Sequence, residues 1–142
     1  MNIKKVVVIG SGTMGSGIAA HLCNAKIPVT LLDLTTEISE KARDRIFKSK
    51  PPLLLDKSKI DNIKVGNIND NFDVVKDADW VVEAVVERID IKHNIYEKIF
   101  KNRKDGAIVS SNTSSIPIKV LSQNLNKDQK KDFCITHFFN PV

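Results

Sequence analysis

Cysteine and aromatic residues are scarce in this sequence of 142 residues, and each shortage excludes a class of protein. Two cysteines, Cys23 and Cys134, are too few for a disulfide framework, which predicts free thiols and a cytoplasmic location. Aromatic residues make up 6% of the chain, which argues against stacking platforms for single-stranded nucleic acid. No apolar run approaches the ~20 residues that cross a bilayer, and the N-terminal apolar run is too short for a signal-peptide core. We therefore expect neither membrane insertion nor export.

The charge is positive but is not concentrated in one segment. The formal net charge is +5, which favours anionic partners such as nucleotides, coenzyme A or nucleic acid. Because the 22 lysines and arginines are scattered, we do not expect nucleic-acid binding. The sequence also predicts no metal site. Its length, a hydrophobic fraction of 42% and the lack of an internal linker predict a single domain over residues 1–142.

Short apolar runs alternate with segments of helical periodicity along the chain. The predicted strands are 4–9, 28–33, 63–65, 80–85, 107–110 and 133–137. The predicted helical faces are Met14, Ile18 and Leu22; Ile38, Ala42 and Ile46, after a cap at Thr35 or Thr36; Ile91, Ile95 and Ile99; and a short helix from Pro117 to Leu121. This alternation predicts an α/β fold, with a parallel sheet covered by helices on both faces.

A glycine-rich turn follows the first predicted strand and opens the first predicted helix. It fits the pattern G-x-G-x-x-G and consists of Gly10, Ser11, Gly12, Thr13, Met14 and Gly15. In this context Gly10 permits a tight turn, Gly12 lets a pyrophosphate approach the backbone, and Gly15 lets the helix pack closely on the strand. The helix N-terminus supplies free N–H groups to the phosphates. A further glycine, Gly17, is expected to help the close packing.

A carboxylate ends the second predicted strand, where a dinucleotide-binding fold recognises ribose. Asp33 can accept hydrogen bonds from the adenosine ribose hydroxyls, and it would repel a 2′-phosphate. The sequence therefore favours NAD over NADP as the cofactor. S-adenosylmethionine and FAD remain alternatives, as does a glycine turn that binds no nucleotide at all.

Four segments in sequence order resemble the L-3-hydroxyacyl-CoA dehydrogenases. They are GSGTMGSGIA at 10–19, ADWVVEAVVE at 78–87, SNTSS at 111–115 and HFFNPV at 137–142. The resemblance covers essentially the whole chain and corresponds to the NAD-binding domain of that family. It implies a Rossmann-type, doubly wound, mostly parallel sheet. It also implies NAD-dependent oxidation of L-3-hydroxyacyl-CoA to 3-oxoacyl-CoA, as in fatty-acid β-oxidation.

Oxidation of a secondary alcohol needs a base for the hydroxyl proton and an acceptor for the hydride. His137 is the natural base, because imidazole titrates near neutral pH and this residue ends a predicted strand. His21 and His93 fall within predicted helices, and we interpret them as packing or surface residues. The resemblance adds Ser114 and Asn140 as polar groups around the reacting carbonyl, where both would also contact the cofactor.

Other site residues are implied only by the resemblance. It places Glu87 and Lys92 along the nicotinamide half of the cofactor, and the alternative is an exposed ion pair. It makes Asn112 a cofactor contact, although Asn112 and its neighbour Ser111 are equally well explained as loop-forming residues. Ser49 matches a position that touches coenzyme A in some relatives.

The chain departs from the family pattern at its C-terminus. In the family the base histidine pairs with a glutamate about a dozen residues further on, and a helical domain completes the acyl pocket and forms the dimer. Both would lie beyond Val142, so we expect a homodimer only with that domain and doubt that this chain is active alone. A second hypothesis is therefore a non-catalytic NAD-binding fragment or module that needs a separate partner chain. A third is a different 3-hydroxyacid dehydrogenase, against which the HFFNP segment argues.

Overall fold

The computed structural model describes residues 2–142 and joins all the predicted strands into one sheet. The strands are β1 (Val6–Ile9), β2 (Val29–Asp33), β3 (Ile63–Asn67), β4 (Trp80–Glu83), β5 (Ile108–Ser111) and β6 (Phe133–Ile135). They lie in the order β3-β2-β1-β4-β5-β6, and every pairing is parallel. This is the strand order of a doubly wound, Rossmann-type sheet, so the predicted fold class is confirmed.

The four predicted helices form, together with one α-helix and two 3-10 helices that were not predicted. They are α1 (Thr13–Asn24), α2 (Thr36–Lys48), α3 (Ile89–Asn102), α4 (Ile118–Leu121) and α5 (Lys127–Lys131), with short 3-10 helices at Lys57–Asn62 and Phe72–Asp77. Thr35 caps α2 through a hydrogen bond from the Ile38 backbone N–H. Of the three residues that indicated this helix, Ala42 and Ile46 are buried and Ile38 is exposed. None of the helices in residues 2–142 is long and apolar enough to span a membrane.

The side chains of β1 explain why its sequence is apolar throughout. Val6 and Val8 pack in the core beneath α1 and α2, whereas Val7 and Ile9 pack in the core beneath α3. A strand buried on both faces cannot show the alternation of a half-exposed strand, and it therefore appears as a continuous apolar run. The two cores fix the sheet between the helix layers, which leaves the carboxyl ends of the strands to form a site.

The strands that follow β1 are added on one side of it up to β3, and from β4 onward they are added on its other side. The loops after β1 and β4 therefore lie side by side. The backbone N–H of Ala84 donates to Ile9 O at 2.8 Å, and that of Asn112 donates to Glu83 O at 2.8 Å. In open α/β sheets a crevice forms at this point, outside the carboxyl ends of the strands. All the loops that contain predicted site residues, except the one with Ser49, meet at this edge.

Candidate cofactor and active site

The glycine turn has no room for side chains at two of its positions. Gly10 has φ +100°, and a Cβ there would lie 2.4 Å from Ala84 O. A Cβ on Gly15 would lie 1.8 Å from Gly10 O, so α1 can approach β1 only because this residue is glycine. Gly12, in contrast, faces open space. These positions match the three roles expected of the motif, and they leave Gly12 open to a ligand.

The N-terminus of α1 is suited to an anion. Gly12 is its N-cap residue and makes no side-chain cap, and no acidic residue lies in the first turn. The first N–H groups of the helix therefore point into the crevice without a capping side chain, in the positive field of the helix. A pyrophosphate fits this arrangement.

A first cleft of about 370 Å³ lies between the glycine turn and the end of β2. Asp33 forms part of its lining, and one carboxylate oxygen accepts both the backbone N–H and the hydroxyl of Ser11 at 2.6 Å. Its other oxygen accepts the Leu34 N–H at 2.7 Å. Arg45 reaches in from α2 and donates to Ser11 O at 3.0 Å. The predicted ribose-binding carboxylate is thus held beside the glycine turn, in a cleft of suitable size for an adenosine group.

A second cleft, of about 310 Å³, lies on the other side of the loop after β4. Ala84 and Val85 line both clefts, so the two adjoin at this loop. The second cleft brings together six of the predicted site residues: Met14, Glu87, Asn112, Ser114, His137 and Asn140. An extended dinucleotide can therefore run from the first cleft past the glycine turn into the cleft that contains the predicted base.

His137 does not lie on a strand, because β6 ends at Ile135. The prediction that the strand continues to residue 137 was wrong. The backbone N–H of Phe138 donates to the side-chain oxygen of Asn112 at 2.8 Å instead of extending the ladder. The imidazole is exposed and packs against the ring of Phe139, with 4.6 Å between centroids. Asn112 therefore shapes the histidine loop, as its alternative interpretation proposed, and its contact with a cofactor stays a prediction.

The histidine loop is fixed against α1 at two further points. The Phe138 ring packs edge-on against His21, with 6.4 Å between centroids. A Cβ on Gly17 would lie 2.8 Å from the side chain of Val142. Gly17 thus makes room for the end of this segment, rather than for the helix–strand contact that the sequence suggested. His93, on α3, donates a hydrogen bond from its Nε2 to Val120 O at 2.9 Å and lies outside both clefts, which agrees with a packing role.

A buried carboxylate that the sequence analysis did not single out lies at the end of β4. Glu83 has no exposed surface and accepts four hydrogen bonds. One oxygen accepts the Lys92 ammonium at 2.6 Å and the Val85 N–H at 2.8 Å, and the other accepts the hydroxyls of Tyr96 at 2.6 Å and Ser111 at 2.7 Å. Burial raises the pKa of the Tyr96 phenol, and the adjacent Glu83 charge raises it further, so this hydroxyl keeps its proton.

Lys92 links this buried carboxylate to a second one that faces the cleft. Its ammonium lies 2.9 Å from Glu87, and only 1% of the lysine side chain is exposed, so the alternative of an exposed ion pair was wrong. Glu87 also accepts the Thr113 hydroxyl at 2.7 Å. Although partial burial acts to raise it, the pKa of Glu87 is lowered by the hydrogen bond from Thr113 and the ion pair with Lys92. The contacts of Glu87 and Lys92 with a cofactor stay predictions.

Glu83 and Lys92 had a signal in the sequence. Glu83 is the one charged residue in the apolar run 80–85, and Lys92 shares a helical face with Tyr96 and Ile99. A charge within an otherwise buried strand or face requires a partner, and each of these residues is the partner of the other.

Ser49 lies outside both clefts. It caps the end of α2, where its hydroxyl donates to Ile46 O at 2.9 Å and accepts the Leu53 N–H at 2.9 Å. Its predicted contact with coenzyme A is not tested by this arrangement.

Comparison with known proteins agrees with this geometry. The model of one family, the NAD-binding domain of 3-hydroxyacyl-CoA dehydrogenase, matches residues 5–142. A protein named as a fatty acid oxidation complex trifunctional enzyme in Rickettsia felis is 44% identical over 98% of this chain, which covers 20% of that protein. A protein named as a 3-hydroxyacyl-CoA dehydrogenase in Deinococcus radiodurans is 41% identical over 99% of this chain, which covers 43% of that protein. The chain thus spans less than half the length of these relatives.

Solved structures share the fold over the same extent. The 3-hydroxybutyryl-CoA dehydrogenase of Escherichia coli superposes with a TM-score of 0.85 at 27% identity, covering 99% of this chain and 30% of that one. The (S)-3-hydroxybutyryl-CoA dehydrogenase of Ralstonia eutropha gives a TM-score of 0.82 at 32% identity, covering 99% of this chain and 51% of that one.

Proposed function

Because the chain belongs to the 3-hydroxyacyl-CoA dehydrogenase family through that family's NAD-binding domain, we propose that it supplies the cofactor site and the base of an L-3-hydroxyacyl-CoA oxidation. The product is a 3-oxoacyl-CoA, and the setting is the oxidation of fatty acids. The acyl-CoA substrate and a homodimer formed with a further helical domain belong to the same proposal.

The observation that supports this proposal best is that the two clefts adjoin. Asp33 and the glycine turn line the first cleft, and His137 lines the second. One ligand that follows the crevice can therefore be recognised at its adenosine end by Asp33 and still present its far end to a base.

The residues fit the chemistry of NAD, which accepts a hydride when bound. When it is bound, the uncapped N-terminus of α1 would hold its pyrophosphate, and Asp33 would accept hydrogen bonds from its ribose hydroxyls. The imidazole of His137 accepts the proton of the substrate hydroxyl. Ser114 and Asn140, on the same cleft, donate hydrogen bonds to the substrate oxygen and hold it near the imidazole.

A non-catalytic NAD-binding module is the second candidate, and turnover distinguishes it from the first. A direct test joins this chain to the remainder of the Deinococcus radiodurans relative and follows NADH oxidation by acetoacetyl-CoA. Absence of turnover in a fusion that folds and binds NADH would favour the non-catalytic module.

We expect the chain to bind NADH more tightly than NADPH, and Asp33→Ser to weaken that preference. Replacing the carboxylate removes the repulsion of a 2′-phosphate, which we expect to change the discrimination by about 1–3 kcal/mol. Fluorescence titrations of both cofactors with both proteins measure it. Glu40→Gln, which removes an exposed charge from α2, is the matched control. Equal affinity of the unmutated chain for the two cofactors would refute the assignment of Asp33.

A further inference from the structure

Three charged side chains form a connected group behind the wall of the second cleft. Glu83, Lys92 and Glu87, here called the charge cluster, are joined by contacts of 2.6 Å and 2.9 Å to the one ammonium. Glu83 and Lys92 are fully buried, whereas 43% of the Glu87 side chain is exposed and lines the cleft.

The hydrogen bonds determine the charge of this cluster. Glu83 and Lys92 lie 2.6 Å apart in a buried ion pair, and the Lys92 nitrogen lies 2.9 Å from Glu87. The Val85 N–H and the hydroxyls of Tyr96 and Ser111 make three further hydrogen bonds with Glu83. Buried charges require such partners, and these contacts are those of an ammonium between two carboxylates. Two carboxylates and one ammonium give a net charge of −1.

No lysine or arginine along the cleft offsets this charge, and the groups there that favour an anion are His137 and the N-terminus of α1 at Met14. Glu87 is the one acidic residue among those that line it, and the lining contains neither lysine nor arginine. The nearby Arg88 forms its own ion pair with Asp90, at 2.7 Å on the surface. In a cleft partly screened from water, a net charge of −1 acts on a ligand more strongly than it would in solution.

We propose that the charge cluster sets the preference of the site between the two oxidation states of its cofactor. An oxidised nicotinamide ring carries a positive charge and a reduced one carries none. The negative cluster therefore raises the affinity for NAD⁺ relative to NADH, above the value that the shape of the site alone would give. This inference rests on the proposed function, since it needs the nicotinamide in the second cleft.

Single Glu→Gln variants test the inference by removing the charge while keeping the shape. In Glu83→Gln the amide oxygen can keep Lys92 and Val85, and the amide nitrogen can donate to the hydroxyl oxygens of Tyr96 and Ser111. In Glu87→Gln, at a side chain that is 43% exposed, the amide oxygen can keep Lys92 and the amide nitrogen can donate to the Thr113 hydroxyl oxygen. Glu97→Gln, an exposed position on the same helix α3 that lies outside the second cleft, is the matched control.

The measurement is the dissociation constant of each variant for NAD⁺, NADH and ADP-ribose. We expect Glu83→Gln and Glu87→Gln each to weaken NAD⁺ binding by about three- to tenfold. In Glu83→Gln, which changes a residue that does not line the cleft, NADH and ADP-ribose should bind within twofold of the unmutated chain. In Glu87→Gln the ratio of NAD⁺ to NADH affinity should fall by the same factor, and Glu97→Gln should change nothing. A tenfold change in the ratio corresponds to about 30 mV in the two-electron potential of the bound couple.

The outcomes separate this inference from the proposed function. If the unmutated chain binds neither ADP-ribose nor NADH, the proposed function fails and the inference with it. If it binds both, but the ratio of NAD⁺ to NADH affinity is unchanged in the variants, the inference alone is wrong. Equal weakening of all three ligands also overturns it, because that pattern shows a purely structural role. Should Glu83→Gln not fold, Glu87→Gln decides the question.

Discussion

Alanine at Gly12 should abolish tight NADH binding without disturbing the fold, whereas alanine at Gly15 should damage the fold itself. A Cβ on Gly12 meets no atom within 4 Å, and the residue's φ of −64° and ψ of −168° suit any amino acid. The added methyl group would instead occupy the space through which a pyrophosphate approaches the backbone. We expect a loss of about 10²-fold in NADH affinity, with an unchanged melting temperature.

At Gly15 the same methyl group would lie 1.8 Å from Gly10 O, a backbone atom that cannot move without shifting β1 or α1. We expect a loss of about 3 kcal/mol or more in the free energy of unfolding. Thermal unfolding and NADH fluorescence titration of both variants check the pair. NADH binding by Gly12→Ala at the unmutated affinity would show that the phosphates do not lie on this turn.

We expect His137→Ala to lower turnover by about 10²–10⁴-fold in the fusion that contains the helical domain, because general-base catalysis contributes about that much. The 142-residue chain alone should bind NADH but turn over little or no acetoacetyl-CoA. Its imidazole is exposed, and no carboxylate among the described residues is hydrogen-bonded to it to fix its tautomer. The cleft is also open to water.

The measurement is NADH oxidation by acetoacetyl-CoA in the short chain, the fusion and the fusion with His137→Ala. His93→Ala is the control, because this histidine lies on α3 outside both clefts. If the short chain turned over substrate as fast as the fusion, the helical domain would not be needed for catalysis, and the assignment of the catalytic residues would be wrong. An active fusion that tolerates His137→Ala would refute the histidine as the base.

The sheet was predictable because its strands are short apolar runs bounded by glycine, proline or acidic residues. Strand β1 and the turn after it are the best example, since the glycine spacing defines both the end of the strand and the start of α1. The end of β6 was not predictable, because it depends on an asparagine side chain that is 26 residues away in sequence. When a side chain far away in sequence accepts the backbone N–H that would extend a strand, the residues around the strand end carry no sequence signal for it.

The short helix α5 was missed for a different reason. It has five polar residues and no buried side chain, so it shows no apolar periodicity. Its start is marked only by a capping box, in which Asn126 and Gln129 exchange hydrogen bonds with each other's backbone. The burial of the charges was missed because Glu83 was not singled out and the alternative given for Lys92 was an exposed ion pair with Glu87, since a lysine is almost always at the surface.

Because Gly17 lies against Val142, the glycines of the 10–17 segment serve two different parts of the site. Gly12 lies open where the diphosphate would pass, Gly10 and Gly15 are packed against backbone atoms, and Gly17 accommodates the tail of the loop that bears the imidazole. Affinity for the dinucleotide and alignment of the proton acceptor can therefore change independently, through Gly12 and Gly17, which are five positions apart. In a protein with this arrangement, a substitution can change the affinity for the cofactor without moving the imidazole. A different substitution can move the imidazole without changing that affinity.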